Sequence, residues 1–185
     1  MRALQMVISD AHQGLKGAIQ AAVHGASWQR CLVHFMRYLL ALVPKPATEM
    51  VAASVRTVFA QPDASSAREQ WGTVADRSRT SAPRVADLMD DAETDVRAYL
   101  TFPRDHWRLI WSNNPLERRK KEVKRRTDVG GIFHNPAAVI RLVGAVLNEQ
   151  HDEWQVAGRY FSAESLAKPR KEATADPSPA LLAAG

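Results

Sequence analysis

Apolar and polar positions change their period several times along the chain, and the changes divide it into elements. Residues 4–9 (LQMVIS) form a short apolar run that stops at an acid, Asp10, the pattern of a buried strand. After Gly14-Leu15-Lys16, the Ala-rich residues 18–23 have helical propensity, and Gly25 ends the stretch. Residues 28–33 are short enough for a second strand, and residues 35–43 continue as an apolar helix closed by Pro44 and Pro46. The order is therefore β-α-β-α.

From residue 47 to 98 the pattern becomes Ala, Val and Leu at helical spacing, broken at Gln61-Pro62-Asp63 and Ser81-Ala82-Pro83, which predicts about three helices. Leu100-Thr101-Phe102-Pro103 then leads through His106-Trp107 and Ile110-Trp111 to Asn113-Asn114-Pro115. Asn114 as cap and Pro115 in the first turn predict a helix that carries Glu117 and ends at Gly130-Gly131. A last helix is expected from about residue 135 to 154, with Asn135 as cap and Val139, Leu142, Val143, Val146 and Leu147 on one face. Residues 168–185, rich in Ala, Pro, Ser and charge, are expected to stay disordered. The pattern predicts an α/β chain that is predominantly helical, in segments 1–46, 47–105, 106–167 and 168–185.

Composition narrows the class. At 185 residues and 45% hydrophobic content the chain can bury a core. Charged residues interrupt every apolar run well before the roughly 20 residues a bilayer span needs, and the N-terminal residues develop no signal-peptide core. A cytoplasmic, nucleoid-associated protein with no membrane partner is the expectation. The single Cys31 cannot form an internal disulfide.

The formal charge of +5 is concentrated rather than spread. Arg118, Arg119, Lys120, Lys121, Lys124, Arg125 and Arg126 stand against Glu122 alone between residues 118 and 126, and the rest of the chain is near neutral. One acid cannot pair seven bases, so this helix is expected to bind DNA phosphates rather than be an ordinary solvated face.

Asp10 is the first chemical candidate, because a carboxylate delivered by a buried strand can be held rigidly enough to bind a divalent cation. Its plainer role would be to cap a helix beginning near Ala11. Cys31 and His34 offer two zinc ligands at close spacing, but no second cysteine completes a closed site, which favours a buried Cys in a strand with a His near its end. Trp107, Trp111 and Trp154 read as core, and nothing marks His106 or His151 as more than ordinary histidines.

Together these positions carry a resemblance. Asp10, Gly14, Leu15, Trp28-Gln29-Arg30-Cys31 and His34 are similar to the Asp-x3-Gly to Cys-x2-His pattern of the bacterial Mutator-family insertion-sequence transposases. Leu100-Thr101-Phe102-Pro103, His106-Trp107, Ile110-Trp111, Asn114-Pro115-Leu116-Glu117-Arg118 and Lys124-Arg125-Arg126-Thr127 resemble that family's C-terminal block, extended by Gly131-Ile132-Phe133 and Asp152-Glu153-Trp154. The resemblance covers about residues 4–168. It implies a DDE-type enzyme that moves an insertion element by cleaving and joining DNA with Mg²⁺ or Mn²⁺. It also implies a partial RNase H-like fold in residues 1–46, a helical insertion in 47–105, and C-terminal catalytic helices in 106–167. Asp10 matches the second catalytic Asp, and Glu117, 107 positions on, matches the Glu; Glu122 is a rival in a less diagnostic position.

The family's first Asp belongs on an earlier strand, and only nine residues precede Asp10. The expectation is a truncated, inactive copy that associates with itself or with a full-length transposase. His24, Tyr38, Arg119-Lys120, Gly130 and His134 depart from the family's usual residues, and those at 119 and 120 adjoin Glu117. A DNA-binding regulatory remnant without catalysis is the alternative, and a small helical RNA-binding protein is a third reading.

Overall fold

Two parallel strands open the structure, β1 (Met6–Ser9) and β2 (Ser27–Arg30), paired in the register Met6↔Ser27 to Ser9↔Arg30. Parallel neighbours need a crossover, here made by helix α1 (Gln13–Ala22). The crossover ends in a tight turn at Gly25, whose φ of 79° lies in the left-handed region that a side chain disfavours. In this computed structural model, residues 4–130, 133, 135–156, 161 and 163–167 are described. They fall into two compact units, one ending at Ser112 and the other spanning Asn113–Ala167, and each is treated by itself.

The remaining helices are α2 (Leu32–Ala41), α3 (Thr48–Phe59), α4 (Ala64–Ser81), α5 (Pro83–Val96) and α6 (Trp107–Ile110) in the first unit. The second unit holds α7 (Asn114–Gly130), α8 (Pro136–Val156) and α9 (Ala163–Ala167). The chain is thus predominantly helical, with two strands among the described residues. No described helix is long and apolar enough to cross a membrane.

The three helices expected between residues 47 and 98 are α3, α4 and α5, and the breaks fall where turn chemistry puts them. Asp63 caps α4, its carboxylate accepting from the Ser66 N–H at 2.9 Å, and Pro83 occupies the first turn of α5. Their inward faces form one core with α2: Phe35 and Leu39 from α2, Val55 and Val58 from α3, Trp71 and Val74 from α4, and Val85, Met89 and Val96 from α5. Phe35 and Trp71 stack at 5.7 Å between ring centroids.

The strand pair is joined to this core by a buried polar residue. Gln29 is fully buried on β2; its amide N–H donates to the carbonyls of Arg30 and Val96, each at 2.8 Å, and its carbonyl accepts from the Tyr99 N–H at 2.8 Å. These bonds satisfy backbone groups at the end of α5 that would otherwise be buried without partners. Lys16 fastens α1 from above, 2.9 Å from Asp95 and 4.4 Å from the Trp28 ring centroid. Trp28 in turn donates to the Ser9 hydroxyl at 2.8 Å, linking the two strands.

Several expectations need correction. The second strand ends at Arg30, and Cys31 is the N-cap of α2 rather than a strand residue, so His34 lies in the first turn of that helix. Helix α1 begins at Gln13 with His12 as its cap, so Asp10 does not cap it. Of the residues expected on the apolar face of α8, Leu147 is 53% exposed and Val146 packs inward. Asn135 does cap α8, accepting from the Ala138 N–H at 2.9 Å. Trp107 is buried as expected, and Trp111 joins an aromatic group with Phe59 and Tyr99. The Trp154 side chain, Gly131-Ile132, His134 and residues 168–185 lie outside the described residues.

Candidate functional site

Asp10 follows directly on β1, at the carboxyl end of the parallel pair, which is where open α/β sheets place ligand-binding groups. It is half-buried. One carboxylate oxygen, Oδ1, accepts from the Ala11 N–H at 2.7 Å, and Oδ2 accepts from the Tyr38 hydroxyl at 3.3 Å. Tyr38 comes from α2, and the Arg30 guanidinium lies 6.0 Å from its ring centroid and 5.4 Å from that of Phe35. The Tyr38 phenol thus contacts the carboxylate, while the Arg30 guanidinium lies beside the Tyr38 and Phe35 rings; in the sequence Tyr38 stands out only as a departure from the usual residue of the resembled family.

The two sequence blocks meet inside the first unit. The Leu32 N–H at the start of α2 donates to the Trp111 carbonyl at 2.9 Å, so the Cys31-to-His34 segment abuts the segment that ends in Ile110-Trp111. Tyr99 packs edge-on against both Trp107, at 5.3 Å, and Trp111, at 5.9 Å. Burial pushes the Tyr99 phenol well above its ordinary range, against the weaker opposing influence of Arg104 and Arg97. Arg104 lies over the Trp107 ring and donates to the carbonyls of Pro62 and Gln61, tying this segment to the α3–α4 turn. Cys31 is fully buried. Among the described residues no three His, Cys, Asp or Glu side chains are grouped so that they could hold a metal ion.

Glu117 lies in the first turn of α7, in the second unit, so Asp10 and Glu117 belong to different units. The Glu117 N–H donates to the Asn113 carbonyl at 3.1 Å, which starts α7 one residue earlier than the Asn114 cap predicted from sequence. Its Oε1 accepts from Lys120 at 3.0 Å, and the side chain is 36% exposed. Glu122 is engaged far more fully. Arg125 binds both of its oxygens, at 2.7 and 2.9 Å, and Arg126 adds a third contact at 2.8 Å. These hydrogen bonds from Arg125 and Arg126 lower the Glu122 pKa from 4.5 to about 2, against a smaller opposing effect of burial. Glu117 is the more available of the two for a cation.

Most of the basic run is sorted by helix face. Arg119, Glu122 and Arg126 turn toward α8 and, with Val146, Glu149 and Glu153, line a cleft of about 230 Å³. Arg126 spans it, 2.8 Å from Glu122 and 2.7 Å from Glu149. These two acids, Glu149 first, raise the Arg126 pKa. Glu149 is a partner that sequence reading missed; it lies 23 positions beyond Arg126, and only the pairing of α7 with α8 brings it in. On the opposite side Arg118, Lys121 and Lys124 are exposed and make no salt bridge among the described residues.

The chain matches the family described as "Transposase, Mutator family" over residues 1–157. It is 47% identical, over 175 residues, to the transposase for insertion sequence element IS1081 of Mycobacterium tuberculosis, an overlap that is 95% of this chain and 42% of that protein. It is 35% identical over 165 residues to the transposase for insertion sequence element IS256 in transposon Tn4001 of Staphylococcus aureus, covering 87% of this chain and 42% of that protein. With the ISRM5 transposase of Rhizobium meliloti the identity is 31% over 171 residues. The chain belongs to the Mutator family of transposases. It spans about two-fifths of the length of these relatives.

Proposed function

We propose that this chain serves the transposition of an insertion element by taking part in divalent-metal-dependent cleavage and joining of DNA, with Asp10 and Glu117 as metal-binding carboxylates. The observation that carries the reading is Asp10 at the carboxyl end of a parallel β-α-β unit in a member of a transposase family. That unit, followed by a helical insertion, is the part of an RNase H-like fold this chain would supply. Carboxylate oxygens suit hard cations such as Mg²⁺ or Mn²⁺, and Oδ2 of Asp10 has only a 3.3 Å hydrogen bond to yield. Glu117 yields one exposed lysine contact.

Bound there, such ions would supply an activated attacking oxygen and charge stabilisation at the leaving oxygen. The residues of this chain do the rest. The strand fixes the Asp10 backbone, and Tyr38 orients Oδ2 through its hydroxyl. Arg30, stacked near Tyr38 and Phe35, adds positive charge beside a site that must receive phosphates. The basic residues of α7 hold the DNA, and because Glu117 shares their helix, the backbone they bind is kept near that carboxylate.

The test is a chimera in which residues 1–157 replace the matching segment of the IS1081 transposase, assayed with Mg²⁺ or Mn²⁺ on DNA carrying that element's ends. Metal-dependent nicking lost on Asp10→Asn and on Glu117→Gln supports the assignment, and undiminished nicking by either variant sinks it. The 185-residue chain alone, with two assignable carboxylates where the family's chemistry uses three, is expected not to nick DNA. A second reading is favoured by the basic helix with its own ion-paired neighbour: the chain binds DNA and regulates a full-length relative by occupying its sites or joining its oligomer. Inhibition of a relative's activity by added chain, without nicking by the chain itself, would distinguish that reading.

A further inference from the structure

We infer that α7 is a backbone-tracking helix with divided labour: Arg118, Lys121 and Lys124 bind successive phosphates of one DNA strand, while Arg119 and Arg126 fold the helix against α8 and contact no DNA. The inference rests on the DNA reading above and narrows it from seven basic residues to three, with a stated binding mode.

The division follows from where the countercharges are. Arg126 is held between Glu122 and Glu149, and Arg119 lines the same cleft with Glu122, Glu149 and Glu153. Three carboxylates are already in position there, and a phosphate entering the cleft would meet their repulsion and would have to break bonds of 2.7 and 2.8 Å to reach Arg126. Lys120 and Arg125 are exposed but have partners in Glu117 and Glu122. Arg118, Lys121 and Lys124 have no such partner among the described residues, and they recur every third position along the exposed side.

Spacing then selects the mode of binding. Six residues of helix rise about 9 Å, so three side chains at this interval follow a short length of a single backbone. A helix lodged in the major groove would need contacts on both flanks and base-reading side chains between them. Here one flank is closed by α8, and the side that carries the three bases also carries two acids, the half-buried Glu117 and the exposed Asp128. Negative groups at that position fit a backbone passing alongside, with gaps in the contact, better than a helix enclosed by two phosphate strands. The binding should therefore be independent of base sequence.

The experiment measures the affinity of the whole 185-residue chain for a duplex of arbitrary sequence as a function of salt, with EDTA present so that no metal chemistry contributes. Wild-type binding should weaken with a log–log slope to which the three residues contribute about −0.9 each. Replacing Arg118, Lys121 and Lys124 with Ala should remove about 2.7 from the magnitude of that slope with helix content unchanged by circular dichroism, since all three are exposed. The charge-keeping set Arg118→Lys, Lys121→Arg and Lys124→Arg should restore it. The double variant Arg126→Met, Glu149→Met, which leaves net charge unchanged, should lower thermal stability but not the slope.

An unchanged slope in the triple-Ala variant overturns the inference, as does a loss of slope in the folded Arg126/Glu149 variant equal to that of the triple. Affinity that varies more than tenfold among scrambled duplexes overturns the backbone mode, and stronger binding to duplex RNA overturns DNA as the partner. None of these outcomes touches the roles of Asp10 and Glu117, which only the metal-dependent cleavage assay addresses.

Discussion

The two units are held together by different forces. In the first, Phe35, Leu39, Val55, Val58, Trp71, Val85, Met89 and Val96 are buried to 1% exposure or less and form one apolar cluster. In the second, Val146 is the one large apolar side chain buried among the described residues, while Leu116, Val129, Ile140 and Leu147 are each more than half exposed. Among the described residues, the Arg126–Glu149 salt bridge ties α7 to α8 across the cleft. Apolar burial is not screened by salt and is insensitive to moderate pH, whereas exposed ion pairs are weak and screened. The unit with the proposed DNA-binding helix is thus the one whose stability should respond more to its ionic surroundings, and a phosphate backbone bound there would stabilise it by mass action.

The comparison can be broken most decisively in the core. Trp71→Ala should destabilise the first unit by about 3–5 kcal/mol, as large-to-small aromatic substitutions do, read as a fall in urea midpoint. A loss below about 1 kcal/mol would mean that α2 and α3–α5 do not share one core. Gln29→Leu comes next, because it keeps the volume but leaves the Val96 carbonyl and the Tyr99 N–H without their partner. The expected cost is about 1–3 kcal/mol in the same measurement.

A smaller effect is expected from acid, and only in the second unit. Glu122 has a folded pKa of about 2 against an ordinary value of 4.5. For a carboxylate with a depressed pKa, the stabilisation is complete above the unfolded value and disappears as pH falls through the folded one. Helix content contributed by α7 and α8 should therefore be constant above pH 4.5 and decline toward pH 2, a loss that Glu122→Gln removes because its baseline no longer titrates. Adding about 1 M salt at neutral pH should lower the thermal midpoint of this unit more than that of the first. The smallest stability change should come from Tyr38→Phe, which deletes one exposed 3.3 Å hydrogen bond to Asp10 and should shift the urea midpoint within error.

The boundaries most legible in the sequence were those set by local chemistry. Pro83 sets its own φ in a first turn, and Asp63 before α4 and Asn135 before α8 accept from N–H groups three positions on, so a reader of the chain can see every group involved. The end of β2 was less legible. Cys31-Leu32-Val33 has the apolar character of a strand, but α2 has already begun there, and the Leu32 N–H, which a helix start leaves without an internal partner, is taken by the distant Trp111 carbonyl. Of the candidate site, Asp10, Glu117 and the basic helix could be named in advance because motif spacing marks residue types. Their partners could not.

Charge content and apolar period belong to the chain itself: seven bases within residues 118–126 are basic in any conformation, and Ala, Val and Leu at helical spacing must bury one face. Which of those bases remain available is a property of the fold, because Glu149 reaches Arg126 only once α8 has packed against α7. The same holds for Gln29, a polar residue of the second strand whose role as the fully buried tie between strand and helix only the fold reveals. Pairing across a long sequence separation is decided by three-dimensional proximity, and the side chains involved carry no local mark of the partner they will meet.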